Sequence, residues 1–286
     1  MTAPVAPAHP VVTLPDGRTV PALGQGTWNL GDDPRRREAE IAALRAGVDA
    51  GLTMIDTAEM YGGGRSETLV GEAVAGRRDE VFLVSKVLPG NASRRGTVDA
   101  CHASLDRLGT DRLDLYLLHW RGRHPLAETV EGLEALVAEG AIRGWGVSNF
   151  DVDDLDELLA VPGGGNVQTN QVLYNLARRG PEFDLLPWAR EHRVPLTSYS
   201  PVDGGELLDH PVLGEVADDL GISPTQLALA WVLRLAPDLM VAVKAGTAEH
   251  TLENAAALAV DLDDQAFVRL ERAFPAPTSK VPLEMR

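Results

Sequence analysis

Val81-Phe82-Leu83-Val84-Ser85-Lys86 and Leu113-Asp114-Leu115-Tyr116-Leu117-Leu118-His119 are two short apolar runs, each closing on a side chain that can carry a proton. Runs of this length bounded by polar residues read as buried strands. The stretch between them is long enough for a helix that carries the chain back to the start of the next strand. The same unit recurs outward in both directions, with apolar runs at 22–26, 53–56, 142–148, 167–170, 195–199 and 239–243. Helix signals fall in between. Asp33-Pro34 puts a cap residue ahead of a first-turn proline. Asp151 precedes Leu155, Leu158 and Leu159 on one helix face, residues 126–138 carry Leu133, Leu136 and Val137 on one side, and Ser223-Pro224-Thr225-Gln226 has the pattern of a capping box. Eight strand–helix alternations specify an α/β fold with a parallel sheet, and eight is the number that closes a (β/α)8 barrel.

A doubly wound open sheet is the alternative, but the first turn lacks its glycine pattern. Gly24-Gln25-Gly26 is followed by Asn29 where the third glycine is needed, and the chain has no P-loop. Ahead of the repeats, residues 11–14 and 18–21 flank Pro15-Asp16-Gly17 and read as a hairpin. Residues 1–10 read as a flexible leader without the basic and apolar parts of a secretory signal, and 11–286 as a single domain. Gly163-Gly164-Gly165 reads as a loop, not a boundary.

With 286 residues and a formal net charge of −16, the surface repels nucleic acid and anionic membranes. No apolar run approaches a membrane span. Cys101 is the one cysteine, which excludes an internal disulfide and favours the cytoplasm. Lysine occurs only at 86, 244 and 280, which draws attention to where it stands.

In such barrels, chemistry sits at the carboxyl ends of the strands. The residues there are Asp56 with Tyr61 in the following loop, Lys86, His119, Ser148-Asn149, Asn170-Gln171, Tyr199-Ser200 and Lys244. Each has a bland reading as a cap, a loop aromatic or a satisfied polar group; together they make a convergent polar site over an apolar barrel. The expected chemistry is coherent. Asp56 holds Lys86 charged, the Lys86 ammonium lowers the Tyr61 pKa, Tyr61 gives a proton to a developing alkoxide, and His119 donates a second hydrogen bond to the same oxygen. The group has no electron donor of its own, so the hydride must come from outside, from a nicotinamide.

The motifs carrying these residues resemble those of the aldo-keto reductase family: Gly26-Thr27-Trp28, Ile55-Asp56-Thr57-Ala58-Glu59-Met60-Tyr61-Gly62, Leu83-Val84-Ser85-Lys86, Leu117-Leu118-His119-Trp120, Gly146-Val147-Ser148-Asn149-Phe150, Asn170-Gln171, Ser198-Tyr199-Ser200-Pro201, and Lys244 with Glu253-Asn254. They occur in the family's order across nearly the whole chain. The resemblance implies a TIM barrel whose bottom is closed by the N-terminal hairpin, a tetrad of Asp56, Tyr61, Lys86 and His119 with Tyr61 as acid, and a monomer using NADPH. It implies that Ser148, Asn149 and Gln171 hold the carboxamide of the nicotinamide and that Tyr199 stacks on its ring. Thr27 and Trp28 would line the site, and Gly26, Ser200, Pro201, Lys244, Thr247, His250, Glu253 and Asn254 would contact the rest of the cofactor. The sequence departs from the family at the adenosine phosphate, where Ala245 follows Lys244 and His250 replaces the expected arginine. The retained Lys244 favours NADPH, with weaker discrimination against NADH than is usual. Residues 120–125 and the proline-bearing tail after Phe274 are short, which suggests an open pocket walled by Trp28 and Trp120. Such a pocket suits a small carbonyl substrate, with 2-oxoaldehydes and sugar-like aldehydes as candidates. Three other readings compete: a Schiff-base aldolase using Lys86, a non-catalytic nicotinamide-binding regulatory protein, and a metal-dependent hydrolase, for which the strand ends offer too few histidines.

Overall fold

A computed structural model describes residues 10–286; most of the expected leader, residues 1–9, lies outside the described residues. The chain opens with strands β1 (Val11–Thr13) and β2 (Thr19–Pro21), an antiparallel pair joined through Gly17, whose φ of +87° is open to glycine without strain. Then come β3 (Leu23–Gly26), α1 (Arg37–Asp49), β4 (Met54–Asp56), α2 (Arg65–Ala73), β5 (Phe82–Val87), α3 (Arg94–Leu108), β6 (Leu115–Leu118), α4 (Leu126–Glu139), β7 (Trp145–Ser148), α5 (Val152–Ala160), β8 (Val167–Leu173), α6 (Leu185–His192) and β9 (Leu196–Tyr199). The order finishes with α7 (Pro211–Leu220), α8 (Pro224–Leu233), β10 (Leu239–Lys244), α9 (Ala248–Ala256) and α10 (Asp264–Ala273). Strands β3 to β10 pair in parallel and close into a barrel, β10 returning to β3 with Lys244 opposite Gly26. Closure excludes the open doubly wound sheet. Helices α7 and α10 are additions to the repeat and pack on each other.

The local signals in the sequence explain several boundaries. Asp151 and Asp154 exchange the two hydrogen bonds of a capping box at α5, and Ser223 and Gln226 do the same at α8. Each such cap contributes about 1 kcal/mol. Asp33 caps differently from the expectation: its side chain accepts from Arg35 N and starts a single 3-10 turn, Pro34–Arg36, before α1. Strand β8 runs three residues past the apolar run that marked it, because its end pairs with β9 up to Leu173 opposite Tyr199.

What positions the site is the two-residue period of the strands. Met54, Val84, Leu115, Leu117, Met240 and Ala242 form one buried cluster with Val12, Leu14 and Val20 of the hairpin, so the hairpin plugs the amino-terminal end of the barrel, and Met54, Val84, Leu117 and Ala242 are its upper layer. Two residues further along the same strands stand Asp56, Lys86, His119 and Lys244. The layer below is tight: a Cβ on Gly24 would come within 2.6 Å of the Met54 side chain. Asp56 and Lys86 are therefore part of the top layer of a packed interior, over which the loop after β4 carries Tyr61.

Candidate active site

Lys86 is the centre of this layer. Its side chain is fully buried, and Nζ donates to Asp56 Oδ2 at 2.8 Å, to the Thr57 carbonyl at 2.8 Å and to the Tyr61 hydroxyl at 3.2 Å. Three donors meet three acceptors, which a buried ammonium requires. Burial alone would lower the Lys86 pKa, but Asp56 and Tyr61 outweigh it and hold it above the ordinary value.

Tyr61 reaches this point because the loop after β4 is pinned to β5. Thr57 N donates to the Val84 carbonyl, and Glu59 Oε1 accepts from Leu88 N at 2.6 Å. The chain then reverses through Gly62, Gly63 and Gly64, all at positive φ; at Gly62 a Cβ would also come within 2.6 Å of Asp32 Oδ1. Burial raises the Tyr61 pKa above its ordinary value, and the Lys86 charge pulls it back without overcoming that. The sequence expectation of a net lowering is corrected here: it weighed the ammonium and not the desolvation of the phenolate. His119 stands edge-on to Tyr61, ring centroids 5.8 Å apart, with Trp120 tilted against its other side at 4.9 Å. Burial lowers its pKa to about 3, with Lys86 adding to the effect, so the ring is neutral at pH 7. Its Nδ1 is buried without a hydrogen-bond partner.

The residues at the next strand ends adjoin this group. Ser148 and Gln171 are paired in register across β7 and β8 after a bulge. Gln171 Nε2 donates to Asp56 Oδ1 at 2.8 Å, so both carboxylate oxygens of Asp56 are engaged and the Gln171 side-chain oxygen is left for a ligand. Ser148 donates to the Gln171 backbone carbonyl, and Asn149, at a φ of +58°, donates to the His119 carbonyl and accepts from the Tyr199 hydroxyl at 3.0 Å. Thr27 braces the strand ends by donating to the Asp56 carbonyl. Asn170 bonds only the Phe150 backbone and ties strands together.

Two recesses meet at this layer. One is a pocket walled by Trp28, Met60, Trp120 and Met285, with Tyr61, His119, Ser148, Asn149 and Gln171 at its base. The other is a cleft running from Asp56 and Tyr61 past Gly26, Thr27, Trp28, Ser200, Pro201, Gly204 and Gly205 to Val243 and Lys244. Trp28, Tyr61, Tyr199, Ser200 and Arg286 line both. An elongated ligand with a flat polar end at Tyr61 and anionic groups toward Lys244 and Arg286 fits the chemistry of the cleft. Of the remaining candidates, Thr247 caps α9 through His250 N, while His250, Glu253 and Asn254 follow on that helix outside the lining of the cleft.

Sequence reasoning does not single out Met60, Asn29, Met285 or Arg286 as lining residues. Met60 lies inside the motif that carries Asp56 and Tyr61, and that motif is the signal that could have found it. Arg286 belongs to no pattern. It reaches the site because its guanidinium pairs with Asp203 at 3.1 Å and Glu206 at 2.8 Å, and its backbone N donates to the Tyr199 hydroxyl. Among the described residues no cluster of three or more His, Cys, Asp or Glu is placed to hold a metal ion, and no helix is long and apolar enough to cross a membrane.

Comparison with known proteins agrees with this geometry. The sequence model of the Aldo/keto reductase family matches residues 22–274. Methylglyoxal reductase YeaE of Escherichia coli (strain K12) is 50% identical over 272 residues, covering 93% of this chain and 95% of that protein. An aldo-keto reductase of Mycobacterium marinum is 33% identical over 260 residues, covering 87% and 86%. The crystal structure of an aldo-keto reductase from Klebsiella pneumoniae in complex with NADPH superposes with a TM-score of 0.94 at 48% identity, covering 98% of this chain and all of that one. The chain belongs to the aldo/keto reductase family.

Proposed function

We propose that this protein reduces small aldehydes and ketones to alcohols with NADPH, Tyr61 delivering the proton. The observation that carries the reading is the single contact set of Lys86, which holds Asp56 and the Tyr61 hydroxyl at once beneath an open pocket. The cofactor, when bound, supplies the hydride. The chain's own groups handle the oxygen. A raised Tyr61 pKa keeps the phenol protonated at neutral pH, ready to donate. As charge builds on the substrate oxygen, the phenol gives up its proton, and the phenolate left behind is stabilised by the Lys86 ammonium. Neutral His119 gains nothing from a proton on partnerless Nδ1, so the proton belongs on Nε2 and is available to the same oxygen as a hydrogen-bond donor. Gln171, with Ser148 and Asn149 beside it, offers its free side-chain oxygen to the amide of the nicotinamide ring. Tyr199 would stack on that ring, Thr27 would line the site beside it, and Gly26, Ser200 and Pro201, which line the same cleft, would hold the rest of the cofactor.

The Schiff-base reading fails on the chemistry of Lys86, which is charged and saturated with acceptors and so lacks the lone pair an amine nucleophile needs. The methylglyoxal reductase relative and the bulky apolar walls of Trp28, Met60, Trp120 and Met285 around the pocket favour small 2-oxoaldehydes as the first substrates to try. The reading places the enzyme in the cytoplasm as a monomer, in keeping with its one cysteine, buried and unpaired.

The test is NADPH oxidation with methylglyoxal, a sugar aldehyde and a simple aldehyde, with the alcohol product identified. Turnover is expected with at least the 2-oxoaldehyde. Binding of NADPH without turnover of any carbonyl would instead favour a regulatory protein.

A further inference from the structure

The cleft ends at Lys244, and what lies beyond it is not supplied by the same loop. The chain passes Ala245 and Gly246 and enters α9 at Thr247, with exposed Glu249 in the first turn. That turn offers no arginine to a phosphate, and its one acid opposes it. Because the barrel closes β10 against β3, however, the segment leading into α1 sits beside the segment leading into α9, and the two helices pack together. This brings Arg36, the last residue before α1, over the 245–246 loop. A Cβ on Gly246 would come within 2.5 Å of Arg36 Nη2 and 3.7 Å of its Cζ.

We propose that Arg36 is the second cation for the 2′-phosphate of NADPH, facing Lys244 across the end of the cleft and standing in for the arginine that His250 replaces. The inference rests on the NADPH reading above. Arg36 is the one basic residue of its run left to play this part, since Arg35 is bound by Asp33 through two nitrogens and Arg37 pairs with Glu72 at 2.6 Å. Arg36 is held only loosely, with Nε 3.7 Å from Glu40 Oε1, and its side chain is 55% exposed. Glu40 is itself buried, its other oxygen accepting from Gly31 N at 2.9 Å, so it is a fixed post that aims the guanidinium. A phosphate carries more charge than this carboxylate and presents oxygens matched to the fork of an arginine. Lys244 is likewise available. The other two lysines pair with Asp56 and Asp184, whereas Lys244 is exposed and has no acid within 4 Å among the described residues. On a chain of net charge −16, two such cations decide whether a dianion can settle there.

Binding of NADPH and of NADH, measured without substrate by quenching of tryptophan fluorescence, tests this in wild type, Arg36→Gln, Arg36→Lys and Lys244→Ala. Loss of a charge-assisted contact weakens binding by about 10-fold or more. Arg36→Gln is therefore expected to raise the NADPH Kd by that factor, change the NADH Kd less than about twofold and flatten the salt dependence of NADPH binding. Arg36→Lys should recover part of the loss. An unchanged NADPH Kd in Arg36→Gln beside a weakened one in Lys244→Ala would overturn the role of Arg36 and leave the NADPH reading standing. Equal weakening toward both cofactors would reduce Arg36 to a structural part of α1. Equal affinity of wild type for the two cofactors, untouched by Lys244→Ala, would remove the NADPH reading and this inference with it.

Discussion

At the Tyr61 end of the cleft the charged groups are buried and tied to one another, Lys86 to Asp56 and Asp56 to Gln171, whereas at the Lys244 end the lysine is exposed and its proposed partner comes from another helix entry. The first end is assembled from residues whose strand positions fix their direction, and little can change there without leaving a buried charge unpaired. The second faces solvent, where one cation can be exchanged for another from a neighbouring element at small cost to the fold. On the proposed reading, chemistry is set by the packed layer and the choice between cofactors by the exposed rim.

Lys86→Met breaks the rigid end most severely. It strands the Asp56 carboxylate, and breaking a buried pair costs about 3–5 kcal/mol, to be read from urea unfolding. Loss of less than ~1 kcal/mol would mean that the pair is hydrated and the layer is not rigid. The next effect follows from His119. Its folded pKa is about 3 against 6.5 unfolded, so between these values the unfolded chain binds the proton and the native chain does not. Stability contributed by the neutral ring is complete above about 6.5 and falls as pH drops toward 3, by about 2 kcal/mol between pH 7 and pH 5. Comparing His119→Gln with wild type across that range isolates it; parallel curves would show that the ring is not desolvated. Gln171→Ala is milder. It removes one donor to Asp56 and should cost about 1–3 kcal/mol while lowering kcat, a combination that a residue holding only the nicotinamide would not give.

The difference between the two ends also explains what the sequence disclosed. Strand ends are legible because apolar runs stop where the barrel interior becomes polar, so Asp56, Lys86 and His119 each stand at the close of a run. Their assembly into one layer follows from the two-residue period and barrel closure. The bond from Gln171 to Asp56 was not legible, because it crosses the barrel between residues 115 positions apart. Nor was the sign of the Tyr61 shift, which depends on burial. Arg36 and Arg286 are silent in the sequence for the same reason: each acts on an element remote along the chain, and an exposed arginine carries no periodic signal. The family pattern marked the gap at Ala245 and His250 but could not say what fills it.

The central claim is that Tyr61 is the proton donor and that Lys86 stabilises what it leaves behind. Tyr61→Phe tests it with one oxygen atom removed from an otherwise unchanged cleft. If the claim is right, kcat for an aldehyde falls ~100-fold or more, as for loss of a general acid, while the Kd for NADPH stays within about twofold of wild type. A variant that keeps most of its kcat would contradict it and hand the proton transfer to another group.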